Sequence, residues 1–96
     1  MRRCTYTIAT HKGHEPQKRN GYLMPITASC GTVVNLALVK LNDEWFGDHA
    51  ATGYAIGNLR APTRSALIEL IESIDWLADK CVETARGRPI INPDYG

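Results

Sequence analysis

The chain has 96 residues, 44% of them hydrophobic and 22% charged, with a formal net charge of +1. That length suits one domain spanning 1–96 with a modest single core, and that composition excludes a chain disordered over most of its length. A net charge near zero supplies no global field toward nucleic acid or membrane, and no apolar run approaches the ~18 residues of a membrane span.

The opening MRRCTYTIAT lacks the apolar core of a signal peptide. Residues 3–10 alternate Cys4, Tyr6 and Ile8 against Thr5, Thr7 and Ala9, a period of two that predicts a first strand. HKGHEPQKRNG, residues 11–21, reads as a polar loop leading into a second strand over 22–29. Pro25 confines that strand to an edge position or a bulge. Residues 32–41, TVVNLALVKL, are the most apolar segment. As a helix they would align Val34, Leu38, Leu41 and Trp45; consecutive valines and the polar NDEWFGDH that follows favour a strand buried on both faces. AATGYAIGN, residues 50–58, is expected to return as the next strand.

A single long helix is then expected. Thr63 is a credible N-cap, and Leu67, Ile71, Ile74, Ala78, Cys81 and Ala85 recur at spacings of four and three, with Gly87 and Pro89 ending the run. Residues 88–96 form an extended tail whose Ile90 and Ile91 should dock. The fold class is therefore α+β: an antiparallel sheet of about four strands packed by one long C-terminal amphipathic helix.

Catalytic and metal chemistry find little support. Cys4, Cys30 and Cys81 are odd in number, far apart and without a CxxC pair, which excludes a disulfide framework or zinc ribbon and points to free buried thiols in a cytoplasmic protein. His11 and His14 lie three apart in a loop with no second ligand pair. His49 with Asp48, Glu44 and Asp43 groups titratable side chains, but reads as a solvated turn without a substrate-orienting partner. No phosphate loop or nucleophile motif is present. No enzyme activity, cofactor or metal is expected.

Charge is uneven along the chain. Within residues 1–20, Arg2, Arg3, Lys12, Lys18 and Arg19 stand against Glu15 alone. With Tyr6 and Tyr22 nearby, this basic strand and loop form the alternative reading, a nucleic-acid-binding module. From 65 to 83, Glu69, Glu72, Asp75, Asp79 and Glu83 stand against Lys80. Like charges at i,i+4, near the wrong end of one long helix for its dipole, are not explained by local stability. Trp76 falls opposite the apolar stripe among Glu69, Glu72, Asp79 and Glu83, so something other than the sheet must cover it: the tail, a second copy, or another protein. The leading expectation is a small non-enzymatic protein that binds a basic protein surface, or itself, through this acidic, Trp-centred face. Phage-type inhibitors of host nucleic-acid-handling complexes, such as anti-CRISPR proteins, fit that physical description by analogy of kind.

Overall fold

A computed structural model describes residues 1–8 and 15–96. Five strands, β1 (Arg2–Ile8), β2 (Gln17–Thr27), β3 (Val33–Leu41), β4 (Glu44–His49) and β5 (Ala55–Ala61), form one sheet in the order β1-β2-β3-β4-β5, with every neighbouring pair antiparallel. Helices α1 (Arg64–Ser73) and α2 (Leu77–Ala85) follow, then a 3-10 turn at Pro93–Tyr95. The α+β class stands. The finer expectation does not: the described residues hold five strands rather than four, and two short helices replace the single long one.

The extra strand comes from NDEWFGDH. Asn42 and Asp43 sit at φ 50° and 65°, positive values that these two residue types tolerate and that a two-residue hairpin needs. Glu44 therefore pairs directly with Leu41, and the expected polar turn is only two residues long. The second strand also starts earlier than expected, at Gln17. Residues 17–21 pair with β1 from Ile8↔Gln17 to Cys4↔Gly21 instead of forming a loop. Asn-Gly lies inside this strand because a Cβ on Gly21 would come within 2.7 Å of the Leu38 carbonyl oxygen. Pro25 does occupy a locally open edge: β1 pairing stops at Arg2↔Leu23, so Pro25 faces only Asn35 of β3.

As expected, β3 is a strand buried on both faces, with Leu36, Ala37 and Leu38 all at 0% exposure. On one face Val34, Leu36 and Leu38 meet Leu59, Leu67, Ile71, Leu77 and Cys81, the helix-facing core. On the other, Ala37 packs with Cys4, Tyr6 and Ala50, and Tyr95 of the tail lies against them. Cys4 and Cys81 are buried as expected, but Cys30 is exposed in the β2–β3 turn.

The tail docks by hydrogen bonds rather than through its isoleucines, which stay exposed (Ile90 58%, Ile91 39%). The Asn92 amide donates to the Thr7 and Ala50 carbonyls and accepts from the Thr7 N–H, each at 2.8 Å. The Ile91 and Asn92 N–H groups both donate to the Ala51 carbonyl.

Thr63 is the N-cap expected of it, its hydroxyl accepting from the Ala66 N–H at 3.1 Å. The helix then breaks. Ser73 donates its hydroxyl to the Leu70 carbonyl at 2.7 Å, a local bond that competes with the helical ladder. Ile74 turns extended at φ −102°, ψ 92°, and α2 restarts at Leu77. The restart turns the adjacent Leu77 and Ala78 inward together with Cys81, which a straight continuation of the stripe does not do for both.

Candidate functional site

Trp76 is the N-cap residue of α2, at the corner between the helices, and remains 61% exposed. The tail does not cover it, since that segment is tied to Ala51, Thr7 and Ala50. One helical turn apart, Trp76, Lys80 and Thr84 line a groove of about 320 Å³ between α2 and β5, opposite Tyr54, Ile56 and Leu59. β5 ends the sheet, and its pairing with β4 is irregular between Phe46 and Asp48, which blunts that edge against casual strand addition. Arg88 closes one end of the groove, its guanidinium 4.7 Å from the Tyr54 ring centroid.

The acidic residues do not form one ring around Trp76. Glu69 and Glu72 are exposed on α1, and Glu83 is exposed on α2. Asp79 is engaged inside the molecule: its carboxylate accepts from the Ser29 N–H at 2.7 Å and the Ser29 hydroxyl at 2.9 Å. With the break at 74–76, Asp79 also lies in the first turn of its helix, where a carboxylate is favoured by the dipole. Asp75 is outside both helices, so no helical Asp75–Asp79 repulsion exists.

The basic residues separate as well. Arg19 is committed to the sheet interior, where its guanidinium sits 3.2 Å from the carboxylate of Asp48, itself 1% exposed. The Tyr6 hydroxyl donates to the same oxygen at 2.5 Å, and burial together with that carboxylate pushes its pKa up. Arg2 pairs in register with Leu23 on this face, whereas Arg3 pairs with Tyr22 and Lys18 with Thr7 on the other. Lys12, like His11 and His14, lies outside the described residues. Arg3 and Arg64 converge on Tyr22, with guanidinium carbons 5.8 and 4.6 Å from its ring centroid, and the Tyr22 and Trp45 rings lie 6.1 Å apart. Hydrogen bonding from Arg3 and the charge of both arginines hold the Tyr22 hydroxyl below its ordinary pKa.

The titratable group at 43–49 does not converge, and it is not a solvated turn. Asp48 and His49 are both buried and point to opposite faces of β4. His49 Nδ1 lies 2.8 Å from the Thr52 hydroxyl, and its ring stacks on Tyr54. Burial lowers its pKa by disfavouring the charged ring. Among the described residues no group of three or more His, Cys, Asp or Glu is placed to hold a metal ion, and no helix is long and apolar enough to cross a membrane.

No family model, curated protein or solved structure matches this chain.

Sequence reasoning found Trp76 but missed its groove, because Tyr54 and Ile56 reach it only through the β4–β5 turn. It missed the Arg3–Tyr22–Arg64 cluster for a similar reason: Arg64 is 42 positions from Tyr22 and meets it only because its side chain reaches across from the start of α1, which packs on β5 and β4. The one available signal was the period of two that puts Lys18, Asn20 and Tyr22 on a single face.

Proposed function

We propose that the protein is a non-enzymatic binding protein whose contact with another protein centres on Trp76. The observation that carries this is the 61% exposure of an indole beside a groove, with the tail engaged elsewhere. A large aromatic side chain left in water at a helix corner is the composition of an interface anchor. Glu69, Glu72 and Glu83 set a preference for a basic partner and govern encounter rate more than residence. Asp79 has a structural task and is not part of the contact. Action by occupancy, covering the basic groove of a nucleic-acid-handling complex, is the mode that this polarity suits.

The test is Trp76→Ala. Association, read by sedimentation velocity for self-contact and by a photo-crosslinker at position 80 on the rim of the same groove for a partner, should weaken about 30-fold, the equivalent of ~2 kcal/mol for an anchoring tryptophan. The melting temperature should move by less than about 2 °C, because an exposed side chain contributes little to folding. A protein with Trp76 intact that stays monomeric and crosslinks to nothing through position 80 would refute the proposal. A large fall in melting temperature would show instead that Trp76 is part of the core.

A further inference from the structure

The helices cover β3 to β5 and the far half of β2. On the same side of the sheet, no helix among the described residues covers β1 and the near half of β2. The side chains on that strip, read from the register, are Arg3, Thr5 and Thr7 of β1 and Lys18, Asn20 and Tyr22 of β2. Arg3, Thr5, Lys18 and Asn20 are exposed. None of the six is acidic. Lys40, exposed and directly opposite Trp45 in register, adds a cation on the same face. Arg64 reaches in from the start of α1 to lie over Tyr22 and 6.0 Å from the Trp45 ring centroid.

Among the described residues the ion pairs are Arg19–Asp48 and Arg60–Glu44. Arg3, Lys18, Lys40 and Arg64 take part in neither. Two guanidinium groups therefore meet at one tyrosine without a carboxylate between them. Cation–π contact holds them there but leaves their charge uncompensated. Such a pair presents several N–H donors in a fixed fork, the arrangement that suits phosphate oxygens. Lys18 stands four residues from Tyr22 along β2, about 13 Å at strand rise. The cations thus form a row too long for one small anion.

We propose that this open strip, with Arg3 and Arg64 at its centre and Lys18 and Lys40 extending it, binds the phosphodiester backbone of single-stranded nucleic acid. A thin strand fits because the strip is an exposed sheet face next to two aromatic rings, against which bases pack once the arginines turn to the phosphates. A duplex fits poorly. The elements that would enter its major groove are the helices, and their outward faces carry Glu69, Glu72 and Glu83. The strip uses Arg3 and Lys18 of the basic N-terminal segment and leaves Arg19 in its pair with Asp48. It is also remote from the Trp76 groove, since β1 and β5 are opposite edges of the sheet.

The experiment is fluorescence anisotropy of a labelled 15-nucleotide oligothymidine with the full chain at 50, 100 and 200 mM salt. Four phosphate contacts predict a log–log salt slope of about −3, a loss of roughly 50-fold between 50 and 200 mM, from a Kd on the order of 10 µM at the lowest salt. Arg3→Gln with Arg64→Gln should weaken binding at least 10-fold and reduce the slope by about 1.4, and Lys18→Gln alone should reduce it by about 0.7. All of these are exposed positions, so circular dichroism should show unchanged melting; Trp76→Ala should bind as the wild type does. Thymidine monophosphate and a duplex of equal length should bind at least 10-fold more weakly than the single strand. The proposal is overturned by no binding at 100 µM protein in 50 mM salt, or by binding that the double substitution leaves intact. It is equally overturned by a mononucleotide or duplex that binds as tightly as the single strand.

Discussion

Asn92→Ala removes three hydrogen bonds at once. Its amide donates to the Thr7 and Ala50 carbonyls and accepts from the Thr7 N–H, all at 2.8 Å, at a partly buried site. A hydrogen bond of this kind contributes about 1 kcal/mol net, and an orphaned partner costs more where water cannot reach it. The loss is therefore about 2–3 kcal/mol, or roughly 8–15 °C in melting temperature for a chain of this length. Thermal and urea unfolding read the global effect; carboxypeptidase digestion reads release of the tail. Asn92→Asp sharpens the comparison. It keeps the acceptor for Thr7 but sets a carboxylate oxygen against two carbonyls, so at pH 7 it should be at least as damaging as alanine. It should recover in part below about pH 4, where the carboxyl can donate. A melting temperature within 2 °C of wild type, with no faster digestion, would refute the view that Asn92 fastens the tail.

Gly21→Ala should cost about 2 kcal/mol, because its Cβ would lie 2.7 Å from a backbone oxygen that cannot swing aside. Gly47→Ala, whose Cβ would lie 2.9 Å from Cδ1 and 3.0 Å from Cβ of the buried Leu59, should cost a similar amount in the same urea titrations. Asp79→Ala should cost about 1 kcal/mol through loss of the Ser29 contacts and of its first-turn position. Glu83→Gln should change little, and equal effects in thermal melts would contradict the distinction drawn between them. The pKa of His49 is lowered from 6.5 by burial. The folded state therefore binds its proton less readily than the unfolded state, and the stability it supports is present above about pH 6.5 and lost as pH falls. His49→Gln should shrink the difference in unfolding free energy between pH 7.5 and pH 5.0, and an unchanged difference would refute this assignment.

Features set by a residue and its immediate neighbours were legible in the chain. Thr63 caps a helix, Gly87 takes positive φ (78°) just past its end, and Pro25 marks an open edge. Features decided by distant partners were not. The stripe Leu67, Ile71, Ile74, Ala78, Cys81 fits one straight helix as well as two; the break depends on the Ser73 hydroxyl and on burying Leu77 beside Ala78. β4 escaped notice because its interior positions include Asp48, a polar residue that looks like part of a turn until Arg19 and Tyr6 are found against it. The candidate sites divide in the same way. The exposure of Trp76 was readable from helical phase alone, although that phase assumed an unbroken helix. The split of the acidic set by Ser29, and of the basic set by Asp48, required the fold.

The bonds between Asn92 and Thr7 join residues 85 positions apart, whereas every strand in the meander pairs with its neighbour in the chain. Closing a loop of that length first would cost on the order of 4 kcal/mol in chain entropy. Once the hairpins have assembled in succession, Thr7 and Ala50 already stand together and the cost has largely been met. Fastening of the tail is then a late event, on the native side of the folding barrier. Weakening it should accelerate unfolding and leave the folding rate almost untouched. The lifetime of the folded molecule, more than the speed of its formation, is what Asn92 controls.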